Sequence, residues 1–265
     1  MRSMRVHHLN CGTMCPLALP SLVCHCLLIE TVEGLVLVES GLGLDDVRHT
    51  RKRMGRMLPW LTRPRLDEAE CALNQVRALG FDPRDVQHIV LTHLDFDHVG
   101  GVSDFPWATV HVTRDEWQGG FEQPTAFDRD RYSRLGWARD CRMEQYTPEG
   151  EPWFGFQCVR DLRGLPPEIL LVPVPGHTRG HAAVAVKGKD RWLLHCGDAY
   201  FSRHEMQSPP SCPLPLRAFQ RACFDNPQRL YNQQRLRELA RAHDPEVTLL
   251  CAHDSEEFAT LRAPG

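Results

Sequence analysis

The 265-residue sequence has no apolar run near the roughly 18 residues that a membrane-spanning helix needs, so no stable membrane insertion is expected. It has little excess of either charge. Against 34 Asp and Glu stand 31 Lys and Arg, a net charge of −3, which gives no overall attraction for nucleic acid. No repeat of solenoid length and no low-complexity linker interrupts it. A G-x-S-x-G elbow and a Walker A loop are both missing, which leaves a serine nucleophile and a P-loop mechanism unsupported. The opening "MRSMRVHHLNCG" has the charge of a signal peptide but not its apolar core. The 11 cysteines are odd in number and irregular in spacing, so a cytoplasmic protein with reduced thiols is expected.

What is present is an ordinary globular composition, 42% hydrophobic and 25% charged, with 14 histidines. The length is ample for a buried core, and we read residues 1–265 as a single domain. "VCHCLLIETVEGLVLVE" (residues 23–39) reads as a hairpin turning at "TVEG". Residues 45–65 interleave Arg and Lys with Met, Leu and Trp. Residues 66–79 have helical spacing and stop at Gly80. "HIVLT" (88–92) and "TVHVT" (109–113) are strands, and "RDEW" starts a helix. Residues 119–140 are polar and aromatic and read as an insertion over one face. Strands follow in "EILLVPV", "HAAVAV", "RWLLHCG" and "EVTLLCA", with helices over 226–243 and at "SEEFATL". The alternation is that of an α/β protein with mixed sheets.

The chemistry collects in "THLDFDHVGG" (92–101). His93, Asp95, Asp97 and His98 follow one strand, His177 follows "LLVPVPG", Asp198 follows "RWLLHCG", and His253 follows "VTLLCA". Polar residues at strand ends gather on one rim of an α/β sheet. These N and O donors converging there would suit two divalent metals. His181 reads as a support for its loop, and His195 as a core residue. Cys11, Cys15, Cys24 and Cys26 could form a further zinc site with His7, His8 or His25. The spacing is not that of a zinc knuckle, and Cys24 and Cys26 alternate along a strand like small core residues.

With these residues, the chain resembles the metallo-β-lactamase-fold hydrolases, whose signature is T-H-x-H-x-D-H, then P-G-H-T, G-D and a late His. "GLVLVESGLG" resembles the family's D-T-G segment, with Glu39-Ser40 in place of Asp-Thr. The resemblance implies an αββα sandwich of two mixed β-sheets flanked by helices. It implies that His93, Asp95 and His177 hold a first metal, that Asp97, His98 and His253 hold a second, and that Asp198 bridges them. Asp95 stands where most of the family has His. The flavodiiron branch also has a carboxylate there, so beside two Zn²⁺ the site admits iron or manganese. "HLDFDHVGG" and "PGHTRGH" most resemble the acyl-homoserine lactonase branch, and Phe96 matches its pocket Phe. That branch has a substrate-contacting Tyr three residues after the bridging Asp. Here Phe201 holds that slot and Tyr200 precedes it, so a catalytic Tyr200 requires a shifted loop.

Two metals sharing a water lower its pKa to roughly 7, and the resulting hydroxide attacks a lactone or other ester carbonyl. Asp97 could also orient the hydroxide or pass a proton. The alternatives are a phosphodiesterase or thioester hydrolase on the same site, a non-hydrolytic di-iron redox protein, and a binding protein that has lost turnover. The basic segment around 45–65 reads as a lid. Arg51, Lys52, Arg53 and Arg56 could attract an anionic small-molecule substrate. Met54, Met57, Leu58 and Trp60 could line an apolar pocket or a homodimer contact, or simply cover the core.

Overall fold

The apolar runs on either side of residues 31–34 pair as a hairpin, closed where the Thr31 N–H donates to Gly34 O at 2.9 Å. Gly34 has φ +136°, a conformation that side chains rarely adopt. The computed structural model describes residues 4–17, 19–149 and 151–263. The hairpin is the middle of a six-stranded sheet of β1 (Arg5–Met14), β2 (Leu22–Glu30), β3 (Leu35–Val38), β4 (Val86–Val90), β5 (Thr109–Thr113) and β6 (Met143–Tyr146), side by side in that order. Strands β1 to β3 are antiparallel and β3 to β6 parallel. A second sheet sets β7 (Ile169–Pro173), β8 (Ala182–Lys187), β9 (Trp192–His195) and β10 (Val247–Leu250) side by side, with β8 antiparallel to its neighbours and β9 parallel to β10.

The helices are α1 (Leu44–Arg48), α2 (Thr50–Met54), α3 (Met57–Thr62), α4 (Ala72–Ala78), α5 (Phe96–Val99), α6 (Arg114–Trp117), α7 (Ala126–Arg131), α8 (Leu214–Phe219), α9 (Asn226–Ala242) and α10 (Ser255–Arg262). Apolar packing falls in layers. Leu27, Ile29, Val36 and Val38 of one sheet meet Ile169, Leu171, Val184 and Leu250 of the other. The outer face of the first sheet packs on Ala72, Leu73 and Val76 of α4, and that of the second on Leu236 and Leu239 of α9. This is the αββα sandwich expected, with two mixed sheets inside. Among the described residues no helix is long and apolar enough to cross a membrane.

Several elements depart from expectation. Strand β1 lies in the stretch tested above as a signal peptide. It is polar, yet it pairs with β2 from Arg5↔Glu30 to Met14↔Leu22. Residues 66–79 form a 3₁₀ turn, Glu68–Glu70, and then α4, because Cys71 between them is extended (ψ 136°). The Cys24 and Cys26 side chains are buried in β2, and the groups able to hold a metal among the described residues include no cysteine.

Tyr200 also departs. Its side chain is fully buried under the second sheet, and its hydroxyl donates to Glu257 Oε1 at 3.2 Å. It is not in the lining of the cavity that opens at the metal-binding residues, so the catalytic role expected for it is withdrawn. The left-handed Gly197 (φ +51°) turns the chain at the strand end, and Phe201 reaches the site instead. The part-buried Tyr200–Glu257 pair has a consequence for stability. Burial pushes Glu257 up to about 7, although the Cys251 N–H and Tyr200 hydroxyl pull it back. A carboxyl raised on folding holds its proton more tightly in the folded state. Its contribution is therefore complete below the unfolded pKa and is lost as pH rises through about 7. Urea unfolding at pH 5 and pH 8 should show up to ~3 kcal/mol of this loss, which Glu257→Gln should abolish. An equal pH slope in the variant would refute it.

Candidate metal centre

Each donor leaves the end of a strand. Strand β4 delivers the loop of His93 and Asp95 and then α5 with Asp97 and His98. Strands β7, β9 and β10 deliver His177, Asp198 and His253. The Gly100-Gly101 pair lets this loop close on the segment after β3. A Cβ on Gly101 would stand 2.4 Å from Ser40 O, and one on Gly100 2.0 Å from an Asp46 carboxylate oxygen. Ser40 then donates from N and Oγ to His98 O, at 3.0 and 2.7 Å.

All seven expected donors come together, in two adjoining groups: His93, Asp95, His177 and Asp198, and Asp97, His98 and His253. Asp198 faces both. Its Oδ1 lies 3.3 Å from His98 Nε2 and 3.1 Å from His253 Nε2. Its Oδ2 lies 3.2 Å from His177 Nε2 and 3.9 Å from His93 Nε2. Asp97 Oδ2 is 3.9 Å from His98 Nε2 and 3.6 Å from His253 Nε2. Donor atoms around an ion bound at ~2.0–2.2 Å stand roughly 3–4 Å apart, and the separations of 3.1 to 3.9 Å among Asp97, His98, Asp198 and His253 are of that order. Two of their buried donor atoms, His98 Nε2 and Asp198 Oδ1, have no hydrogen-bond partner among the described residues.

The outer contacts aim these rings. Glu39 accepts from His98 Nδ1 at 2.8 Å and from the Thr92 N–H at 2.7 Å, which leaves the His98 Nε2 lone pair for a metal. Burial would raise the Glu39 carboxyl, but the adjacent His98 holds it below the ordinary range. His253 Nδ1 donates to Val23 O at 2.8 Å. His181 supports its loop and ligates nothing: Nδ1 donates to Val174 O and Nε2 accepts the Asp198 N–H at 3.0 Å. Burial, and next His177, lowers it to about 3, so the ring is neutral. His195 is a core residue bonded to His25 O. Glu39→Gln would keep one acceptor for two donors, so an amide N–H would oppose either His98 Nδ1–H or the Thr92 N–H and the ring would lose its support. Metal affinity should fall ~10–100-fold in chelator competition. Unchanged affinity would mean Glu39 does not set the ring.

Two residues at the centre were not foreseen. Glu116 of α6 is buried between the loops. Oε1 accepts from the Leu94 N–H and the Tyr132 hydroxyl, and Oε2 from the Thr178 hydroxyl and the Gly180 N–H. Arg131, from the insertion around 119–140, grips Asp95. Its Nε donates to Oδ1 at 2.6 Å and its Nη2 to Oδ2, and Nη2 also stands 2.7 Å from His177 Nε2. Burial would raise Asp95, but Arg131 holds it well below the carboxylate range. No pattern marks Arg131 within "FDRDRY", where Arg129 reads the same.

A cavity of about 940 Å³ opens onto Asp97, His177, Asp198 and His253. Phe96, Phe201, Leu22, Met54 and Leu58 form much of its wall. The basic lid is only partly as expected. Met54, Met57, Leu58 and Arg56 line the cavity, whereas Trp60 lies exposed outside its lining. Arg53 also reaches the cavity lining, but it is buried, with its charge paired to Asp46 at 2.7 Å and stacked on Trp137.

The fold and this donor set define a metal-dependent hydrolase. A sequence model of the metallo-beta-lactamase superfamily matches residues 19–253, and the chain belongs to that superfamily. It is 44% identical over 259 residues to a "probable metallo-hydrolase" of Mycobacterium tuberculosis, covering 97% of this chain and 83% of the relative. It is 24% identical over 262 residues to an N-acyl homoserine lactonase of Bacillus thuringiensis, covering 98% and 93%. Among solved structures, an N-acyl homoserine lactone hydrolase with N-hexanoyl-L-homoserine at its metal centre superposes with a TM-score of 0.71 at 22% identity, covering 98% of this chain and 97% of that one.

Proposed function

We propose that the protein hydrolyses lactones or other esters with an apolar acyl part. The observation that carries this is the apolar cavity of about 940 Å³ ending on the metal-binding residues. It has room for an acyl chain between Phe96, Phe201 and the Met54–Leu58 wall, with the carbonyl at the polar end. The lactonase relatives support the same reading.

A metal held by Asp97, His98, Asp198 and His253 would supply Lewis-acid polarisation and an acidified water, provided it accepts a ligand beyond these four. The chain's own part is positioning. Phe201 lies against the His253 ring, centroids 4.9 Å apart and 29° between planes, and walls off solvent on that side. Asp97, at the cavity end, is placed to accept a proton from the attacking water and return it to the leaving alcohol oxygen. Tyr200 takes no part.

The test is a substrate panel on metal-loaded protein: lactones of rising acyl length, p-nitrophenyl esters, a thioester and bis-p-nitrophenyl phosphate. Lactone or ester turnover should dominate, with kcat/KM rising as the acyl chain lengthens. Turnover of the phosphodiester or thioester alone would overturn the ester reading.

A further inference from the structure

We propose that the Arg131 guanidinium takes the place of the first metal, so that the protein binds one divalent ion, held by Asp97, His98, Asp198 and His253, where two were expected from the sequence. This rests on the metallo-hydrolase reading but not on any substrate.

The first group has the spacing of a metal site. Asp95 Oδ2 lies 3.2 Å from both His93 Nε2 and His177 Nε2, and Asp198 Oδ2 lies 3.2 Å from His177 Nε2. Two of its four members, however, are already engaged by Arg131. The guanidinium fork takes both oxygens of Asp95, and Nη2 aims at His177 Nε2, the atom a metal would need. An N–H and a metal cannot share one imidazole lone pair. Among the described residues no cation similarly touches the second group, where His98 Nε2 and Asp198 Oδ1 are without hydrogen-bond partners.

Arg131 is held in this position from several sides. Its Nη1 donates to Ala222 O at 3.1 Å. Helix α7, which carries it, starts at a reciprocal cap between Thr125 and Asp128, and Asp128 is tied to Arg179 at 2.9 Å, two residues after His177. The pair also accounts for Asp95. A histidine offers one ring nitrogen toward the site, whereas a carboxylate offers two oxygens that match a guanidinium fork. Asp95 and Arg131 thus act as a pair, an anion at the ligand position matched by a fixed cation.

The experiment is titration of metal-free protein with Co²⁺, followed by visible absorbance, with zinc analysis after desalting as a second readout. The wild type should saturate at one equivalent. Arg131→Ala, which frees Asp95 and His177, should saturate at two. Should Arg131→Ala fail to fold, Arg131→Gln replaces it, and ¹¹³Cd resonances of the wild type, one against two, decide the stoichiometry independently. Two equivalents in the wild type, or one in the folded Arg131 variants, would overturn the proposal. So would binding of no metal, which would also remove the metallo-hydrolase reading. One bound metal with no ester turnover would instead sink only the substrate reading.

Discussion

Asp198→Ala should leave the purified protein essentially free of metal and lower hydrolysis by at least ~10²–10³-fold, the scale of losing one preorganised electrostatic group. Asp198 is the residue with the most to lose because each of its oxygens faces a different group of donors: Oδ1 lies within 3.3 Å of His98 and His253, and Oδ2 within 3.2 Å of His177. Its backbone is pinned as well, since its N–H donates to the neutral His181 ring. Truncation removes the shared carboxylate while leaving the strands intact, so the fold should persist. Metal content by mass spectrometry separates this from unfolding. A thermal scan adds an independent check. A metal at ~1,000 times its Kd stabilises the wild type by ~4 kcal/mol, and the variant should show no such shift on adding metal. Full metal content in Asp198→Ala would overturn the assignment of the centre.

The extent to which the site was legible follows from what surrounds each residue. His93, His177, Asp198 and His253 each come in the loop after an apolar strand, and Asp97 and His98 in the short helix that follows the first of these loops, so the sheet direction carries all six to one rim. Strand β1 was not legible because burial there is uneven. His7 is half-buried on the face it shares with Leu9 and Cys11, and His8 and Asn10 are half-buried on the other, so alternation is blurred. Tyr200 was misplaced because a single positive-φ glycine two residues before Ala199 redirects the loop, and position along a strand does not register that. Arg131 and Glu116 were out of reach for a different reason. Each lies in a short helix with no apolar period to fix its direction, and each finds its partner far away in sequence, at 36 residues for Asp95 and 62 for Thr178. Their roles come from tertiary pairing alone. Asp95 was the one visible sign, a carboxylate where the resemblance calls for a histidine, and its cationic partner could not be chosen among the arginines of residues 119–140.

Glu116→Ala should destabilise the fold on the order of 4 kcal/mol and weaken metal binding, although Glu116 touches no metal ligand. Its two oxygens take four donors, at 2.9 Å from Leu94 N, 2.7 Å from the Tyr132 hydroxyl, 2.6 Å from the Thr178 hydroxyl and 3.1 Å from Gly180 N. All four come from segments that shape the centre. Leu94 separates His93 from Asp95, Thr178 follows His177, and Tyr132 follows Arg131. Burial raises the Glu116 carboxyl while the Thr178, Tyr132 and Leu94 donors oppose it, so the group is costly to bury and useful only with every partner in place. Alanine would leave those donors dry and unpaired, each at a cost of ~1–3 kcal/mol before relaxation. Glutamine would keep the shape but can accept with only one end, so its amide N–H groups would oppose two of the donors. The order of stability should therefore be Glu, Gln, Ala in urea unfolding, with metal affinity falling in the same order as His177 and Asp95 lose their registration. An alanine variant with an unchanged unfolding midpoint would show that the loops hold one another without this carboxylate. A loss of stability with metal affinity intact would confine Glu116 to the fold and separate it from the centre.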